Sequence, residues 1–106
     1  MNKSRMQLPF KFYPKQPIAG DKLIISYNNG ILLDGLEKNI YLKFGFGDEF
    51  IEGKVFESKM IKKNGEYLTV VPLLKSGFLF IAFKDNFGNT DDNNRTFYRI
   101  GVKSKE

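Results

Sequence analysis

The chain has 106 residues, 42% apolar and 15% aromatic, enough to bury one core and too few for two domains. Cysteine and histidine are absent, which excludes disulfides, thiolate or imidazole metal sites, and Ser-His-Asp or Cys-His catalysis. Seventeen Lys and Arg against twelve Asp and Glu leave a net charge of +5. They are scattered, with Lys62-Lys63 the only adjacent pair, so no nucleic-acid stripe is expected.

Residues 1–106 read as a single domain. The start, Met1 to Pro9, carries basic residues but lacks the apolar run and small-residue cleavage site of a secretory signal, so a cytoplasmic location is expected. No apolar run approaches the ~20 residues that would span a bilayer, and no membrane partner is expected. An opening strand is predicted near Gln7–Tyr13. After the turn residues of Pro17 to Asp21, Leu23, Ile25 and Tyr27 alternate with Ile24 and Ser26, a period of two that belongs to a strand.

Asn28-Asn29-Gly30 marks the next turn, and Ile40, Leu42 and Phe44 alternate with Tyr41 and Lys43 in the next strand. Gly45-Phe46-Gly47-Asp48 reads as a turn; no helix follows it, so it is not a phosphate-cradling loop. Residues 54–62 form one predicted strand. Asn64-Gly65 then supplies two residues tolerant of positive φ, a hairpin signal ahead of the β-branched and aromatic run 67–71.

Gly77 to Phe83 is the most apolar stretch and reads as a central strand covered on both faces, with Phe44, Phe78 and Phe80 assigned to the core. The run Asp85 to Asn94 is rich in Asp and Asn. It lacks the ligand spacing of a calcium loop and is expected to be held by its own side chains. Phe97 to Val102 closes the pattern, with Tyr98, Ile100 and Val102 on one side. About seven short strands separated by turns predict an all-β, immunoglobulin-like antiparallel sandwich. The carboxylates available for paired-acid catalysis, Asp48, Glu49, Asp85, Asp91 and Asp92, fall in turn-rich segments and read as turn formers. No catalytic residue, metal or cofactor is assigned, and the chain is expected not to be an enzyme.

Three elements taken in order carry a resemblance. Tyr41-Leu42-Lys43-Phe44-Gly45-Phe46-Gly47 comes first, and Met60, Gly65 and Tyr67 form a hairpin after it. Phe80, Phe83, Asp85, Asn89, Asp91, Asn93 and Asn94 follow without a gap. Over about residues 20–99 the chain resembles the starch-binding carbohydrate-binding modules of families 25 and 53. The resemblance implies binding of starch- or glycogen-type α-glucan on an aromatic loop surface. It sets Lys43 at a family His, Phe50 at a first family Trp and Thr90 at a second. Stacking is then expected from Phe50 and Phe46, and hydrogen bonds to sugar hydroxyls from Lys43, Asp91 and Asn93, with Tyr41 and Phe87 as further ring candidates. The chain contains no Trp. Each ring platform is worth about 1–3 kcal/mol by analogy with other stacking contacts, so weakened binding is expected. The alternative is a sandwich that has lost sugar binding and instead docks a protein partner.

Overall fold

The computed structural model describes residues 8–33, 38–47 and 55–105. These fold into two antiparallel sheets packed as a sandwich. The first has the order β1 (Phe10–Tyr13), β2 (Lys22–Tyr27), β6 (Glu66–Pro72), β5 (Ile61–Lys63). The second runs β4 (Phe56–Lys59), β3 (Ile40–Gly47), β7 (Gly77–Asp85). On the remaining flank of β7, β9 (Tyr98–Val102) pairs with 77–81 and β8 (Thr90–Asp91) pairs with Phe83 and Lys84. The described residues contain one 3-10 turn, Ile31–Leu33, and no helix long and apolar enough to cross a membrane.

Strand alternation builds the core. Leu23, Ile25 and Tyr27 of β2 and Val71 of β6 meet Ile40 and Leu42 of β3, Leu79, Ile81 and Phe83 of β7, and Ile100 and Val102 of β9. Each fully buried aliphatic side chain contributes about 1.5–3 kcal/mol. Ser58 and Thr69 lie 2.9 Å apart, a polar tie between the two sheets. The Asn64-Gly65 hairpin forms as its sequence predicts, with φ of 53° and 81°.

The structure corrects four readings of the chain. The segment 54–62 is not one strand: β4 pairs with β3 in the second sheet, and β5 pairs with β6 in the first. Met60, 3% exposed, plugs the corner, and its N–H donates to the Ile40 carbonyl at 2.8 Å. A period of two survives such a crossing, so the pattern alone hides it. Gly45-Phe46-Gly47 is not a turn either, because β3 continues through it beside 78–80. Asp85, read as a turn residue, is the buried last residue of β7. Phe78 lies outside the core, facing outward and 38% exposed. Phe44 joins the core as expected, and Phe80, though 4% exposed, is buried on the outer face it shares with Phe78.

The outer face of the first sheet departs from the usual polar exterior of a sandwich. Register puts Tyr13, Ile24 and Val70 side by side, and Leu68 beside Ile61, with Tyr13, Ile24, Val70 and Ile61 all exposed. Lys11, Lys22 and Lys63 share this face.

Candidate functional site

The loop after β7 is built by two buried carboxylates. Asp85 accepts from the N–H groups of Phe87 and Asn89, both at 2.9 Å, and from Asn89 Nδ2 at 3.0 Å; Lys38 Nζ completes its shell at 3.1 Å. Burial works to raise the Asp85 pKa, but the bonds from Asn89, Phe87 and Lys38 outweigh it and hold the carboxyl well below the ordinary aspartate value. Asp91 then turns into the core, where Tyr27 Oη donates to Oδ2 and Tyr98 Oη to Oδ1, each at 2.6 Å. Burial, and next the bond to Asp91, push both phenols well above their usual pKa. The two phenols rise from one aromatic cluster, with Phe83 centred 4.3 Å from Tyr27 and 6.3 Å from Tyr98.

Beyond Asp91 the chain closes on itself. Asp92 Oδ1 accepts from Arg95 N at 3.0 Å, and the Asn93 carbonyl accepts from Thr96 Oγ1 at 2.6 Å. Asn93 Nδ2 donates to the Phe97 carbonyl at 3.2 Å. Asn93, Asn94, Arg95 and Phe97 all take left-handed φ, a conformation that Asn tolerates best. The Asx side chains thus hold this loop, as its composition suggests.

The part of the chain held by Asp85, from Asp85 to Thr90, forms one wall of an open groove of about 500 Å³ on the outer face of the second sheet. Register sets Lys59, Tyr41, Lys84 and Thr90 in one row across β4, β3, β7 and β8, with Glu57, Lys43 and Ala82 in the next. Tyr41 is half-buried; Lys84 Nζ lies 5.9 Å from its ring centroid and 3.0 Å from Glu57 Oε1. Both charged partners are solvated, so this ion pair adds at most about 1 kcal/mol and is able to yield to a ligand. Asn86, Asn89 and Thr90 line the same groove. Asn86 Oδ1 accepts from Asn39 N at 2.9 Å, a bond that orients the amide without using its NH₂ donors. Phe87, 59% exposed, stands on the same loop, with Lys38 Nζ 5.9 Å from its ring centroid.

The residues chosen from the sequence divide among several surroundings. Lys43 and Thr90 reach the same outer face, in adjoining rows. Phe46 is not a ring platform on this face: it points the other way, packs against the core, and meets Phe44 edge-on at 6.0 Å and Phe56 at 6.4 Å. Asp91 is no sugar ligand, because it is 8% exposed and both its oxygens are taken by tyrosines. Asn93 lines a separate cleft of about 270 Å³ beside Phe10, Phe12 and Phe97. Phe50 lies outside the described residues. Glu57, Lys84, Asn86 and Asn89 were missed. Only the pairing register brings Glu57 and Lys84 to Tyr41. Comparisons with known protein families, curated proteins and solved structures find no match.

Proposed function

We propose that the chain is a non-catalytic carbohydrate-binding module that holds α-glucan weakly in the Tyr41–Lys84–Thr90 groove. One observation carries the reading: a partly open phenol ring lies among amide, hydroxyl, ammonium and carboxylate groups in a single shallow groove. A pyranose has an apolar C–H face and a rim of hydroxyls, and it needs that combination of ring and polar partners. Tyr41 supplies the ring, and Asn86, Asn89, Thr90 and Lys84 supply donors and acceptors. The order of sequence elements shared with starch-binding modules favours α-glucan as the class.

Titration of the labelled protein with maltoheptaose, followed by NMR, tests the proposal. Saturable shifts are expected at Tyr41, Lys84, Asn86 and Thr90, and Tyr41→Ala should weaken binding by about 1–3 kcal/mol, roughly 5–150-fold. No shifts at millimolar maltoheptaose would overturn it.

A second reading, protein docking, is favoured by the aliphatic outer face of the first sheet. Its signature is line broadening that grows with protein concentration and stays confined to Tyr13, Ile24, Ile61 and Val70, with no response to maltoheptaose.

A further inference from the structure

Register places Phe78 six residues from Lys84 along β7, about 20 Å at ~3.4 Å per residue, so the far end of this outer face lies well away from the groove. Here Gly101 of β9 pairs directly with Phe78. A glycine inside a strand is destabilising and has no side chain to pack, so its presence usually answers a need. Gly101 has neither common need: its φ is not left-handed, and a Cβ built on it meets nothing within 4 Å. The space above it is open, and it belongs to a cleft of about 450 Å³.

The walls of this cleft define what fits. Phe78 offers a partly exposed ring, with the Arg99 guanidinium 5.5 Å from its centroid. Lys15 and Lys103 are exposed on the rim, and none of the described lining residues is acidic. The Lys103 wall is held in place, since its N–H donates to the Pro17 carbonyl at 2.9 Å and its carbonyl accepts from Ala19 N at 2.8 Å. An aromatic face next to an open glycine floor accepts a flat apolar group, and the surrounding cations select a negative charge.

We infer that the Phe78–Gly101 cleft is a second binding site, for a carboxylated sugar such as a uronic acid unit of an acidic glycan. Two lysines lining one cavity, with Arg99 beside the Phe78 ring, suit a single carboxylate; a phosphate backbone needs a longer stripe of cations. The ring would stack its C–H face on Phe78 above Gly101, with its carboxylate toward Lys103, Lys15 and Arg99. This site stands apart from the Tyr41 groove, so its failure would leave the α-glucan reading untouched.

Titration of the full chain with trigalacturonate, read by NMR, tests the inference. Saturable shifts are expected at Phe78, Gly101 and Lys103, weakening several-fold on raising NaCl from about 0.05 to about 0.5 M. Maltotriose at equal concentration should leave those residues unmoved. Gly101→Val puts a side chain into the open space without backbone strain, and it should lower trigalacturonate affinity by about tenfold or more while the thermal melt stays intact. Lys103→Glu should weaken binding several-fold with the same control. Absence of saturable shifts with millimolar trigalacturonate, or unchanged affinity in Gly101→Val, would overturn the site. Tighter binding of an oligothymidylate at the same residues would overturn the choice of ligand.

Discussion

Asp91 separates a structural role from a ligand-binding one, and its replacement gives the most direct reading. In Asp91→Ala the hydroxyls of Tyr27 and Tyr98 lose a charged acceptor at 2.6 Å each. A hydrogen bond to a charged group is worth about 1.5–3 kcal/mol, and a buried donor left unpaired costs its desolvation. Tyr27 is 0% exposed, so its share is near the upper end; Tyr98 is half-buried and regains part of its loss from water. The sum is about 3–5 kcal/mol, a large part of the roughly 5–15 kcal/mol that holds a small domain folded. Asp91→Asn keeps the volume and one acceptor and should cost about 1–2 kcal/mol. Urea titration followed by circular dichroism measures both. A double-mutant cycle with Tyr27→Phe should return a coupling of at least about 1 kcal/mol, because the pair is in direct contact. If Asp91→Ala loses less than about 1 kcal/mol of stability yet abolishes glycan binding, the structural assignment is wrong.

Asp85 predicts how stability depends on pH. Its folded pKa lies below the unfolded value, so its contribution is present above the ordinary aspartate pKa near 4 and is lost as pH falls through the lower folded value. Unfolding midpoints in urea should therefore drop as pH is lowered below about 4, and Asp85→Asn should flatten that slope. Two glycines give contrasting costs when changed to alanine. A Cβ at Gly30 would lie 1.9 Å from Tyr27 Oη, so Gly30→Ala should cost about 2–3 kcal/mol or more by displacing that buried phenol. Gly65→Ala meets no atom but keeps φ at +81°, and only about 1 kcal/mol of backbone strain is expected in the same denaturation assay. Phe46→Ala should destabilise by about 2–3 kcal/mol through lost packing while leaving maltoheptaose shifts at Tyr41 in place; loss of those shifts in a folded variant would return Phe46 to the binding site.

Local pattern was enough to reveal most of the strands, the Asn64-Gly65 hairpin and the inward set Leu23, Ile25, Tyr27, Ile40, Leu42 and Ile100. A residue's side of a strand depends only on the parity of its position. Parity equally put Lys43 and Tyr41 outside. It misassigned Phe78, because a run apolar at every position gives no alternation to follow, and how far each face is covered depends on the neighbouring strands. The segment 54–62 shows the same limit: parity is preserved while the chain leaves one sheet for the other at Met60.

The site shows where local information ends. Composition identified Asp91 and Asn93 as loop residues rich in hydrogen-bonding capacity, but not whom they would bond. Asp91 meets a phenol 64 positions away in sequence, and that contact converts an apparent ligand into an anchor. The groove likewise exists only because β3, β4, β7 and β8 lie side by side in one register. Taken alone, the sequence determined the period of two, the turns and the absence of His and Cys chemistry, since each depends on residues close together or on composition. Tertiary structure decided which polar groups are spent inside the protein and which ring, Tyr41 rather than Phe46, faces outward among open polar partners, because burial and pairing are made by residues far apart in the chain.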